Sequence, residues 1–201
     1  MPGLALSLLR RRIKRCGFPT LQFSYPSVRR DVQTNAANLD RFIRFCDADI
    51  VHLVAHSLGG LVIRQLLHDA PELSNRIGRI VMLGTPHNGS EVARRLAALP
   101  LLRGLMGRSY ACGLDGLLPP WPGGHEAGVI AGNQAFGFGM LLGRLTGEND
   151  GTVTVAETRL PGSEHIVLSV THTGMQFSRA VAEQVCAFLK TGHFTTGPGF
   201  V

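Results

Sequence analysis

No stretch of this 201-residue chain approaches the about 18 uninterrupted apolar residues of a membrane-crossing helix, so the sequence offers no spanning segment. The short apolar run up to Leu9 is followed, not preceded, by positive charge, which is the wrong order for a secretory leader. The four cysteines, Cys16, Cys46, Cys112 and Cys186, stand far apart and form no Cys-x-x-Cys pair. A local zinc or redox motif is thereby excluded, and buried free thiols are the default expectation, with two disulfides as the alternative. Aromatic residues are scarce, at 6%, and Trp121, Tyr25 and Tyr110 do not interleave with the basic residues. A nucleic-acid partner is not expected, because base stacking needs such a platform. The formal net charge of +6 comes mostly from arginine, with one cluster at Arg10, Arg11, Arg12 and Arg15, and a solvated basic helix face accounts for it.

What the chain does have is apolar material for one core. At 44% hydrophobic content, residues 1–201 read as a single domain. Leu4, Leu8, Leu9 and Ile13 recur at helical spacing, so residues 3–16 read as an amphipathic helix ended by Gly17. Residues 20–24 read as a strand, and residues 30–46 return to helical spacing through Val32, Ala36, Leu39 and Ile43. A buried-type strand at residues 50–55 runs directly into a helix carrying Leu61, Val62, Leu66 and Leu67. Residues 80–83, 128–131 and 165–170 are further strand candidates, and Val181, Val185, Phe188 and Leu189 mark a last helix. This alternation predicts an α/β fold: a mostly parallel sheet with helices on both faces, since parallel neighbours need crossover connections. Residues 97–126 break the rhythm with Pro100, Pro119, Pro120, Pro122 and several glycines, and read as an irregular cap insertion. The tail, residues 191–201, reads as loosely ordered.

The sharpest chemical signal is Ala55-His56-Ser57-Leu58-Gly59-Gly60, at the junction of a strand and a helix. A serine on so tight a turn needs small residues two before and two after it, and Ala55 and Gly59 meet that need. The turn would aim the Leu58 N–H, at the helix start, toward a developing oxyanion. A serine hydroxyl is a weak nucleophile, so a histidine must take its proton and an acid must orient that histidine. His172 follows the last strand at the carboxyl edge of the sheet, where sites in open α/β folds lie. His165, at the start of the same strand, belongs to the opposite edge, and His52 and His56 read as packing or surface residues. His87, in Gly84-Thr85-Pro86-His87, lies near the pocket and is the reserve base, with a structural hydrogen-bonding role as the preferred reading. Asp150, in Glu148-Asn149-Asp150-Gly151, is the best orienting acid; Asn-Asp-Gly is also a turn signature, and Asp115 lies in the irregular insertion.

Ala55 to Gly60, Gly84 to Ser90, Asp150 to Val153 and His172-Thr173-Gly174-Met175, in the order Ser, Asp, His, make the chain resemble the α/β-hydrolase superfamily, in particular its bacterial lipase and esterase-like members. The resemblance spans residues 20–190. It implies a serine hydrolase acting on carboxylic esters through Ser57, Asp150 and His172, with an acyltransferase or a pocket-retaining binding protein as alternatives. The implied partner is a small ester with an apolar acyl group, with transient contact at a lipid surface, and no metal or organic cofactor is implied. Segment 97–126 would then cover the acyl pocket through Leu101, Leu102, Leu105, Met106, Leu117, Leu118 and Trp121. One departure stands out: family members carry a strand and a His-Gly loop before the first helix, and that loop donates the second oxyanion N–H. Nothing before Leu4 supplies either, so the expectations are an N-terminally truncated fold, a start internal to a longer protein, either a gap in the sheet between residues 20–24 and 50–55 or a shift of the neighbouring strand, and catalysis weakened by the loss of one oxyanion donor.

Overall fold

The computed structural model describes residues 6–26, 30–98, 113–137 and 145–195. Four strands, β1 (Val51–His56), β2 (Ile77–Leu83), β3 (Ala127–Gly132) and β4 (Glu164–Leu168), form one parallel sheet in the order β1-β2-β3-β4. Period-two patterning sorts the side chains into two layers. Ile80, Met82 and Val129 face α2 (Val32–Arg44) and α3 (Leu58–Asp69), whereas Val81, Leu83 and Ile130 face α1 (Ser7–Arg15) and α5 (Arg179–Thr191). Helices thus cover both faces, as the strand-helix alternation predicts. Each fully buried aliphatic or aromatic side chain, Leu61 or Phe188 for example, contributes on the order of 2 kcal/mol.

The helix ends follow from local chemistry. Asp31 caps α2 by accepting a hydrogen bond from the Thr34 N–H at 2.6 Å, and Ser178 caps α5 by accepting one from the Val181 N–H. Gly192, with φ of 82°, closes α5 in the left-handed region. The expected loose tail begins as packed structure. Phe194 is buried, and the Gln184 side chain exchanges two hydrogen bonds with the Thr195 main chain, at 3.0 and 2.9 Å. Residues 196–201 lie outside the described residues.

Three sequence expectations need correction. Residues 20–24 form no strand: among the described residues no neighbouring strand supplies their ladder hydrogen bonds, and Phe23 packs instead on Tyr25 and Phe42. β1 is consequently an edge strand among the described residues, and its outer side borders a groove of about 720 Å³ walled by Leu9, Ile13, Phe23, Ile43 and Val54. Val51, Val54 and Ala55 stay half-buried there, whereas every residue of β3 is buried. Second, a helix that the sequence reading omits, α4 (Glu91–Ala98), runs into the irregular segment. Ser90 Oγ accepts from the Ala93 N–H, and the buried Glu157 carboxylate accepts from the Glu91 N–H.

Third, the free-thiol expectation applies to Cys46 alone, because Cys16 and Cys186 form a disulfide and Cys112 lies outside the described residues. The bond ties the end of α1 to α5 across a sequence separation of 170 residues. In the loop-entropy view, a crosslink that long stabilises by on the order of 5 kcal/mol. Cys16→Ser is therefore expected to lower the urea midpoint clearly relative to the oxidised protein. A midpoint equal to the parent's would show that the crosslink adds nothing.

Candidate active site

Ser57 sits between the last residue of β1 and the first of α3 with φ of 54° and ψ of −125°. Among the described residues it is the only non-glycine with positive φ. Such strain persists only where surrounding contacts hold it. Here the Ser57 N–H donates to the Leu83 carbonyl at 2.8 Å, and the Ser57 carbonyl accepts from Thr85 Oγ1 at 2.9 Å and from the Gly60 N–H at 3.1 Å. The neighbours have no room to be larger. A Cβ on Gly59 would stand 3.3 Å from the Ala55 Cβ, which is the demand for small residues that Ala55-x-Ser57-x-Gly59 answers.

The hydroxyl that this turn presents lies 3.0 Å from His172 Nε2. The other ring nitrogen, His172 Nδ1, lies 2.7 Å from Asp150 Oδ2. Asp150 is 1% exposed, and its second oxygen accepts from the Thr152 and Val153 N–H groups at 2.9 and 2.7 Å. The turn-capping reading of Asp150 and the histidine-orienting reading therefore hold together, one for each oxygen. The main chain adds a further tie, because the His172 N–H donates to the Asp150 carbonyl at 2.8 Å. With Nδ1–H donated to a carboxylate, Nε2 is left as the acceptor for the Ser57 hydroxyl, the tautomer that a general base needs.

Leu58 opens α3, so its N–H belongs to the first turn, whose amides have no intrahelical partner. His87 is buried, its two ring nitrogens have no hydrogen-bond partner among the described residues, and burial pushes its pKa down to about 3. Its carbonyl accepts from Arg64 Nη1 at 2.9 Å. Arg64 also donates to the Pro119 carbonyl at 2.5 Å, which pins the insertion to the flank of α3. In consequence Leu118 is part of the core formed by α2 and α3, Trp121 packs against that same core, and Leu117 is 85% exposed. The expected role of Leu118 over the cleft is corrected accordingly, because it closes the core. Leu101, Leu102, Leu105 and Met106 lie outside the described residues. His165 Nε2 bonds Thr158 Oγ1 at 2.9 Å, and Asp115 caps its own turn by accepting from the Leu117 N–H.

His56, read from sequence as a packing or surface residue, is buried against the site. Its Nε2 lies 2.9 Å from the His172 carbonyl, and its ring centroid is 4.6 Å from that of His172. Gln176, in the 3-10 turn Gly174–Gln176 just after His172, reaches toward His56 Nδ1 at 3.4 Å. The adjacency of His56 to Ser57 was visible in the sequence; its bond to a residue 116 positions away was not.

A parallel sheet between two helix layers, with a strained serine at a strand-helix turn, defines the α/β-hydrolase fold, and the similar solved structures share it. A mature lipase from Bacillus licheniformis is 24% identical, with 83% of this chain and 76% of that chain covered at a TM-score of 0.61. A metagenomic carboxyl esterase is 20% identical, with 83% and 58% covered at a TM-score of 0.66. A phospholipase from Legionella pneumophila, solved in complex with thio-NAD, is 16% identical, with 94% and 52% covered at a TM-score of 0.62. This chain thus spans little more than half the length of the last two. The family model described as "Domain of unknown function (DUF7379)" matches residues 3–109, and the chain belongs to that family. No curated protein matches the sequence.

Proposed function

We propose that this protein is a serine hydrolase that cleaves small carboxylic esters through an acyl-enzyme on Ser57. The observation that carries the reading is the unbroken relay Ser57 Oγ, His172, Asp150, with contacts of 3.0 and 2.7 Å. A strained serine alone would support only a tight turn. One whose hydroxyl meets an acceptor nitrogen, itself oriented by a buried carboxylate, has the means to lose its proton during attack. The lipase, carboxyl esterase and phospholipase among the similar structures support an ester as the substrate class.

In the first half-reaction the Ser57 oxygen attacks the ester carbonyl carbon while His172 Nε2 takes the hydroxyl proton. The carbonyl oxygen becomes an oxyanion, which the Leu58 N–H at the start of α3 would stabilise. His172 then gives its proton to the departing alkoxide, which leaves as the alcohol. Water repeats the sequence on the acyl-enzyme, with His172 accepting one proton and returning it to Ser57 as the acid departs. Asp150 stays ionised throughout and stabilises the imidazolium that forms twice.

Release of p-nitrophenol from short p-nitrophenyl esters tests this reading. The expected result is turnover well above the buffer rate, and release no faster than buffer rejects it. Gly84 supplies a sharper check. It has φ of 56°, and a Cβ there would stand 3.0 Å from His172 Nδ1 and 3.1 Å from Asp150 Oδ2. Gly84→Ala therefore strains the backbone and pushes on the histidine-carboxylate pair together. A misplacement of that kind is expected to cost on the order of 100-fold in kcat/KM. Parent-like turnover in this variant would mean that the pair is not used.

A further inference from the structure

The mechanism assigns no task to His56, yet this residue is built into the site as firmly as His172 itself. It is 7% exposed, ends β1, and immediately precedes the nucleophile. Its Nε2 meets a carbonyl oxygen, that of His172, at 2.9 Å, and a carbonyl can only accept, so Nε2 must carry the hydrogen. That leaves Nδ1 with its lone pair, which faces the Gln176 Nε2 amide at 3.4 Å. The two partners thus select one neutral tautomer. Burial, the largest influence on the ring, acts in the same direction and pushes its pKa down to about 3. A cation here would stand beside the position where His172 itself becomes cationic, and a ring that stays neutral avoids that repulsion.

We propose that His56 is a positioning residue for the base: its Nε2–H holds the His172 main chain, and its ring limits the tilt of the His172 ring over Ser57. The proposal rests on the serine-hydrolase reading and deepens it. His172 would then be fixed by four contacts, with Asp150 at Nδ1 and at the main-chain N–H, with His56 Nε2 at the carbonyl, and with the His56 ring 4.6 Å from its own. Gln176 acts one step further out, fixing the His56 tautomer from the turn that follows the base. His56 ends β1 and Ser57 follows it directly, so the end of one strand sets the relative height of Ser57 and His172. Such an arrangement supplies geometry in advance of substrate, where small displacements of a base carry large rate penalties.

Two variants separate positioning from packing. His56→Leu removes the donor and keeps apolar bulk, whereas His56→Gln places an amide N–H close to the position of Nε2. For His56→Leu the expected result is a fall in kcat of roughly 10- to 100-fold with KM changed less than about twofold; for His56→Gln, kcat is expected within about fivefold of the parent. A second readout does not depend on turnover. The downfield proton resonance of His172 Nδ1–H, hydrogen-bonded to Asp150, is expected in the parent and in His56→Gln, and broadened or lost in His56→Leu. Parent-like kcat and an unchanged resonance in His56→Leu would overturn the proposal, as would equal damage in both variants. Should the parent hydrolyse no ester, the function reading fails, while the resonance still decides whether His56 positions His172.

Discussion

Replacing Ser57 by alanine is expected to bring ester hydrolysis down to the buffer rate, a loss on the order of 10⁴-fold or more, and to leave the unfolding midpoint close to the parent's. The two halves of that result come from different atoms. Chemistry belongs to Oγ, whose hydrogen-bond partner is His172 Nε2. Structure belongs to the backbone: the Ser57 N–H on Leu83 and the Ser57 carbonyl on Thr85 and Gly60 survive the substitution. Circular dichroism and a urea titration alongside the rate would show both. Turnover at the parent rate in Ser57→Ala would remove this residue from the mechanism. A collapse of the midpoint would show that the hydroxyl also supports the fold.

The second large effect is expected at the base. His172→Ala should lose nearly as much activity as Ser57→Ala, and the double variant only slightly more, because a nucleophile without its base and a base without its nucleophile fail in the same way. His87→Ala is the control, since its ring is buried without a partner and bonds none of Ser57, Asp150 and His172 among the described residues. A severe loss in His87→Ala with a mild one in His172→Ala would reverse the assignment.

How far the sequence reveals all this depends on the range of the interaction. The elbow is legible because its causes are local: Ala55 and Gly59 flank Ser57 within five residues, after an apolar run and before a helical period. Asp150 and His172 are legible through chain order, Asp150 between the last two strands and His172 shortly after the last one. Residues 20–24 mislead because strand propensity becomes a strand only when a neighbour supplies the ladder; the lack of the family strand between them and residues 50–55 is legible, but its effect on residues 20–24 is not. Leu118 misleads for a related reason. Exposed-type apolar residues in a proline-rich segment read as a lid, yet Arg64 draws residues 118 and 119 onto α3 through bonds spanning more than 50 positions. The Cys16–Cys186 bond and the contact of His56 with His172 are likewise tertiary.

The central claim is that Ser57 is an activated nucleophile, and a fluorophosphonate probe measures that without any assumption about the natural substrate. Such a reagent phosphonylates a serine whose proton is drawn off by a base and leaves an ordinary hydroxyl untouched. Peptide mass spectrometry of the labelled protein is expected to place a single adduct on the peptide containing Ser57, absent from His172→Ala. An unlabelled protein, or an adduct on any other serine, would contradict the account.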